Sequence, residues 1–192
     1  SAASDVYKRQ QLDEYIKNKE KASTLSIQKD EDTIKELSSQ IIKLGGKPNI
    51  ENKDLKELIK NLTRQLEQLN VSSVLKDKTK NIINDQKIKD IKVRFQKVID
   101  LPPKDLRKLV DNGKKELGDG IIIVFATNED KVGLAVGITE KLVDKYDAVK
   151  FAKLGSETIG GKGGGGRKDF AQAGGQDQNK IDEAFEKIKS LI

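Results

Sequence analysis

From about residue 11 to residue 89 the chain is polar, and its apolar residues recur at helical spacing. Ile34, Leu37, Ile41 and Leu44 step by 3, 4 and 3, which lines one face of a helix. The T-I-K-E sequence at 33–36 has the form of a capping box, so a helix is expected to start there. Gly45-Gly46 should stop it, with Pro48 as a second barrier. A second helix is expected at about 51–70, where Leu55, Ile59, Leu62, Leu66 and Leu69 step by 4, 3, 4 and 3 in a coiled-coil-like seam. The short GGKPNI connection predicts a helical hairpin. Its seam either packs internally or also serves another domain or subunit, because two helices alone bury little surface. Residues 72–86 read as a less regular continuation of helix.

The period changes at 91–99. Ile91, Val93 and Phe95 alternate with Lys92, Arg94 and Gln96, the pattern of a half-buried strand. A new domain therefore begins near residue 90. Pro102-Pro103 opens a helix with Leu106, Leu109, Val110 and Leu117 on one face and Gly118 as its stop. IIIVFAT (121–127) reads as a buried strand, turned by Asn128-Glu129-Asp130 into KVGLAVGI (131–138). There Gly133, Ala135 and Gly137 leave one face thin, suited either to a closely packed helix or to a ligand approaching the backbone. A helix at 147–159, a glycine run, a short extended DFAQA and a last helix carrying Ile181, Ala184, Phe185, Ile188 and Leu191 complete the pattern. The expected fold class is α+β: a helical hairpin and connecting helix over 11–89, then a small mixed α+β globular domain over 90–192.

Composition narrows the chemistry. The chain has no cysteine and no histidine, which excludes disulfides, thiolate zinc sites, a Ser-His-Asp triad and the commonest general base at neutral pH. No apolar run approaches the roughly 20 residues of a membrane span, so no membrane partner is expected. The first ten residues, SAASDVYKRQ, lack the apolar region of a signal peptide. Their DVYKRQ part looks like translated sequencing-adapter DNA, so residues 1–10 are expected to be a non-native leader. The formal net charge is +6. Residues 148–168 hold Lys150, Lys153, Lys162, Arg167 and Lys168 against Glu157 alone, a local excess of +4.

That charge gathers beside GGKGGGGRKDFAQAGGQD (160–177), with eight glycines in eighteen residues. The stretch is either a slack linker or a binding surface. A phosphate-cradling P-loop fails twice: Ser156 stands where its first glycine belongs, and Gly163 where Ser or Thr must bind magnesium. A G-x-G-x-x-G match at 161–166 is trivial in a glycine run. Linkers join domains, whereas this run lies inside one and ends in an apolar strand and helix. Glycine backbone approaches phosphate closely and flanking Lys and Arg supply charge, so the chemistry points to a polyanion or an oligonucleotide backbone.

GGKGGGGRKDFAQAGG resembles the C-terminal signature of the alanyl-tRNA synthetase family: a glycine-rich run, a basic residue, a short spacer, a large apolar residue, then AQAGG. KVRFQKVIDLPPKDLRKLVDNGKKELGDGIIIVFAT and KVGLAVGIT resemble the same domain in order and spacing. The helical 11–86 region looks like the helices that precede it there. The run is one glycine longer than usual, and Lys168 stands where proline is common. The domain also resembles the DHH-associated domain of phosphoesterases and single-strand exonucleases. The lack of histidine and the AQAGG continuation favour the synthetase.

The resemblance implies a module that binds the outer corner of tRNA(Ala) while other domains of the parent synthetase, absent from this chain, perform ATP-dependent alanylation and editing. No catalytic residue, metal or cofactor is expected here; the parent enzyme uses ATP, magnesium and an editing-site zinc. The resemblance further implies a cytoplasmic protein and a homodimer through the helical region. In this reading Gly161 and Gly163, Gly164, Gly165 and Gly166 let backbone approach RNA, while Lys162, Arg167 and Lys168 contact phosphate. Gln172 bonds a base or sugar edge or fixes the loop. Phe170 is core or a stacking platform. Lys150 and Lys153 extend the basic surface or are merely solvated. Gly174 and Gly175 complete the RNA-binding set.

Overall fold

The computed structural model describes residues 2–192. The chain divides into two units, Ser1–Ser72 and Ser73–Ile192. In the first, α1 is one helix over Ala2–Lys43; α2 spans Leu55–Lys76, its last turn falling in the second unit. No helix starts at Thr33: that residue lies inside α1, and its Oγ1 donates to Lys29 O at 2.9 Å, the back-bond of a mid-helix hydroxyl. The capping-box spacing is overridden because no glycine or proline interrupts the chain before Gly45. There α1 stops as expected. Gly45 adopts φ 78°, and Gly46 N–H donates to Ile41 O at 2.9 Å, so a left-handed residue closes the helix.

α2 begins at Leu55 rather than near 51, because Asp54 Oδ1 accepts from Lys56 N at 2.9 Å and Glu57 N at 3.1 Å as an N-cap. The connection is pinned to α2 by Gln65, whose Nε2 donates to Lys47 O at 2.7 Å and whose Oε1 accepts from Asn49 N at 3.3 Å. Ile41, Leu58 and Leu62 form a small core, with Ile34, Leu37, Leu66 and Leu69 packed against it. Leu58 thus takes the inward place that spacing assigned to Leu55 and Ile59, which are half-buried.

In the second unit, residues 81–88 are strand rather than helix. β1 (Asn81–Ile88) pairs antiparallel with β2 (Ile91–Ile99) across Lys89 and Asp90, both at positive φ, a two-residue hairpin turn. β1 is an edge strand with Ile82 and Ile83 exposed, so it has no apolar face for alternation to reveal. Then come α3 (Leu106–Leu117), β3 (Gly120–Asn128), β4 (Lys131–Ile138), α4 (Ala148–Thr158), β5 (Gly164–Arg167), β6 (Phe170–Gly175) and α5 (Ile181–Lys189). The strands form one sheet in the order β1-β2-β3-β4-β6-β5, parallel only between β2 and β3. The fold is α+β.

β3 is buried along almost its whole length, as its unbroken apolar run requires. Side chains alternate across the sheet, and β4 shows what covers each face. Leu134 lies against Gly155 of α4, whereas Gly133 and Gly137 lie beneath Leu106 and Val110 of α3. The thin face of β4 is therefore occupied by a helix. On the α4 face Phe125, Leu134, Phe151, Ile181 and Ile188 are buried, and Phe185 of α5 meets Phe95 and Phe125 edge-on at 5.1 and 4.8 Å.

β2 departs from the half-buried pattern, because Arg94 on its polar face is only 8% exposed. Its guanidinium donates to both Asp85 oxygens, at 2.7 and 2.8 Å, and to Glu116 Oε2 at 2.5 Å. One buried cation thereby joins β1, β2 and α3, and these bonds hold the Asp85 carboxyl below its ordinary pKa.

Candidate functional site

The glycine run is an edge strand of the sheet and not a slack linker. β5 pairs with β6 as Gly164 with Ala173, Gly165 with Gln172, Gly166 with Ala171 and Arg167 with Phe170. The entry to β5 is fixed by Ser156 in the last turns of α4. Its fully buried Oγ donates to Gly174 O at 2.7 Å and accepts from Gly163 N at 3.1 Å, with Gly163 O a further 3.3 Å neighbour. Gly161 N also donates to Ser156 O at 2.8 Å. The exit is tied down too, since Gln176 and Asp177 N–H groups donate to Ile159 O at 3.0 and 2.9 Å.

Most glycines here are explained by the fold. A Cβ at Gly161, Gly164 or Gly166 would strike the backbone of Gly174, Gln172 or Phe170, one at Gly175 would strike Ile159, and Gly163 adopts φ 103°. At Gly174 a Cβ would sit 3.3 Å from Val132 O. Gly165 differs: it has no positive φ, and a Cβ there would meet nothing within 4 Å. It is exposed on the sheet edge, so the chain itself gives no reason for a glycine at this position.

The two faces of the sheet sort the remaining candidates. Gly133, Ala135 and Gly137 of β4 pair with Gly174, Gln172 and Phe170 of β6, and paired residues share a face. Gln172, Phe170 and their partners Gly165 and Arg167 therefore lie on the α3 face. Gln172 and Arg167 are exposed, and Arg167 forms an ion pair with Asp169 at 3.1 Å. Lys162 and Lys168 are exposed and make no ion pair among the described residues. The backbone of the β5–β6 turn is anchored: Lys168 O accepts from Ala148 N at 2.9 Å, and Asp169 O accepts from Ile138 N at 2.8 Å. Lys150 and Lys153 are exposed on α4, across the sheet from Gln172. The structure thus brings Gly165, Arg167 and Gln172 onto one face and does not bring Lys150 and Lys153 there.

Three groups that sequence reasoning missed also belong to this region. Phe170 is half-buried outside the main core, and the Arg107 guanidinium of α3 lies 5.0 Å from its ring centroid. Lys114, two turns further along α3, donates to Asp169 O at 2.9 Å. Burial holds its ammonium below the ordinary lysine pKa, opposed by Asp169 and Asp111 and reinforced by Arg167 and Arg107. Ser156 is the third. Arg107 and Lys114 read in sequence as wet helix positions, and a lone serine gives no sign of the strand it will hold.

Residues 90–192 match the model of the DHHA1 domain. The chain belongs to the DHHA1 domain family. Curated relatives of this DHHA1 chain include alanine–tRNA ligase of Parvibaculum lavamentivorans, 44% identical over 108 residues, covering 56% of this chain and 12% of that protein. Alanine–tRNA ligase of Rhodopseudomonas palustris is 48% identical over 103 residues, covering 53% and 12%. The chain thus matches about an eighth of the length of these relatives, 12% in each case. Among solved structures, the C-Ala domain of Aquifex aeolicus alanyl-tRNA synthetase aligns with a TM-score of 0.53 at 25% identity, covering 56% of this chain and 96% of that one. The DHHA1 domain here therefore resembles the C-terminal region of alanyl-tRNA synthetases in sequence and in fold. No helix among the described residues is long and apolar enough to cross a membrane.

Proposed function

We propose that this chain is a tRNA-binding module of an alanyl-tRNA synthetase, holding tRNA(Ala) for ATP-dependent alanylation and editing by domains outside it. The observation that carries this reading is Gly165. It is the glycine of the run that neither backbone conformation nor neighbouring atoms require, and it lies on an exposed edge between Lys162 and Arg167. Such a bare backbone admits a bulky polyanion to close range, while the flanking cations attract its phosphates. Similarity to alanine–tRNA ligases supplies the class of RNA. In the same reading the protein works in the cytoplasm, and α1 and α2 support a homodimer. Leu12, Tyr15, Ile16, Leu25 and Ile27 of α1 are exposed apolar residues available for that contact.

The test is titration of the full chain with a tRNA(Ala) transcript at several salt concentrations. Lys162→Ala and Arg167→Ala are each expected to make the log–log salt slope shallower by about one. Gly165→Val should leave the thermal midpoint nearly unchanged and weaken binding. Unchanged affinity in the Lys162→Ala/Arg167→Ala double variant sinks the reading. Sedimentation equilibrium tests the dimer, and a monomer at all concentrations would exclude it.

A further inference from the structure

We infer that RNA lies against the α3 face of the sheet and that Arg107 of α3 is a further phosphate-binding residue, held in place by the Phe170 ring. This rests on the RNA-binding reading above and adds which face is used and which second element contributes. Three observations carry it. Gly165, Gln172 and Arg167 share the α3 face by strand pairing. Arg107 lies 5.0 Å from the Phe170 ring centroid, is exposed, and makes no ion pair among the described residues. Lys114, seven residues on, lies on the same side of α3 with its ammonium on Asp169 O, the residue after Lys168.

The chemistry follows from these positions. An aromatic face orients a guanidinium and restricts its rotamers while leaving its N–H donors directed outward. A guanidinium so held loses less freedom when it closes on a phosphate, for which its planar fork is suited. Arg167 is partly committed to Asp169, whereas Arg107 has no carboxylate partner among the described residues. Arg107 and Lys114, two helical turns and about 10 Å apart, extend the positive surface from the edge strand onto a helix. A strand lying over Gly165 and Gln172 would meet both elements at once. On the opposite face, Lys150 and Lys153 stand outside that track.

The experiment compares Arg107→Ala, Arg167→Ala and the Lys150→Ala/Lys153→Ala pair in the full chain, titrated with the tRNA(Ala) transcript over a range of salt. Arg107→Ala is expected to flatten the salt slope by about one, as Arg167→Ala does. Its thermal midpoint should change little, because Arg107 is exposed. The Lys150→Ala/Lys153→Ala pair is expected to bind as the parent does. If Arg167→Ala flattens the slope and Arg107→Ala does not, the α3-face inference is overturned and the RNA-binding reading stands. Loss of affinity in the Lys150→Ala/Lys153→Ala pair as large as in Arg107→Ala would overturn it as well. If neither arginine variant changes binding or slope, the RNA-binding reading itself falls.

Discussion

Ser156 Oγ of α4 lies 2.7 Å from Gly174 O of β6, so a helix end fixes the strand against which the glycine run pairs. The same oxygen accepts from Gly163 N at 3.1 Å, where the run enters β5. One fully buried hydroxyl therefore sets the spacing between both ends of the motif.

Replacing Ser156 by alanine removes these bonds and leaves a donor and an acceptor unpaired. The expected loss of stability is about 1–3 kcal/mol, read as a lower urea midpoint with an unchanged m-value. Amide exchange at Gly163 should accelerate more than exchange in β3, because the disturbance is local. Uniform acceleration across the sheet would show that Ser156 has no special hold on the loop.

Gly137 and Val110 provide a second test. A Cβ at residue 137 would fall on Val110 and within 2.8 Å of Lys114 Cε, and overpacking of this kind costs about 1–3 kcal/mol. Gly137→Ala should therefore lower the thermal midpoint. Adding Val110→Ala should recover part of that loss, although Val110→Ala alone opens a cavity. A double variant as unstable as the sum of the singles would mean that α3 does not rest on β4 at this point.

Stability should also fall in acid through Asp85. Its folded-state pKa is lowered, first by hydrogen bonding to Arg94 and then by the arginine's charge, against the opposing effect of burial. The stabilisation is thus complete above the unfolded-state pKa of about 4 and is lost as pH falls through the lower folded value. Asp85→Asn should be less stable than the parent at pH 7, and the difference in midpoint should shrink as pH falls below about 4. A difference independent of pH would separate the Asp85 contribution from ionisation.

What the sequence made legible was set by local rules that tertiary packing did not oppose. The alternation of Ile91, Val93 and Phe95, the unbroken IIIVFA and the stop at Gly118 each specify their element. The Gly133–Gly137 face left two occupants open, and only packing of Leu106 and Val110 decided between them. Thr33 had the right spacing for a cap, but a long uninterrupted helix overrode it. β1 was hidden because an exposed edge strand needs no apolar face. Its positive-φ Lys89-Asp90 turn lacks the glycine that usually marks such a hairpin.

At the candidate site, the motif disclosed the glycines and their adjacent cations but not their sorting between two faces. That sorting depends on strand register, which places Gln172 and Arg167 on the side of α3 and leaves Lys150 and Lys153 on the other. Ser156 and Arg107 act across 18 and 63 positions of sequence, on Gly174 and Phe170. No pattern of period 2 or 3.6 carries such pairings.

The sheet has two edge strands, β1 and β5, and they are guarded unequally. β1 carries Asp85 and Lys87, whereas three of the four residues in β5 are glycine, with no side chains to block another strand. An exposed strand edge is a template for unwanted pairing between chains. β5 is limited by its brevity and by Lys162 and Arg167 beside and within it. Like charges at that edge oppose its pairing with a second copy, so neutralising both is expected to make the protein more prone to aggregate.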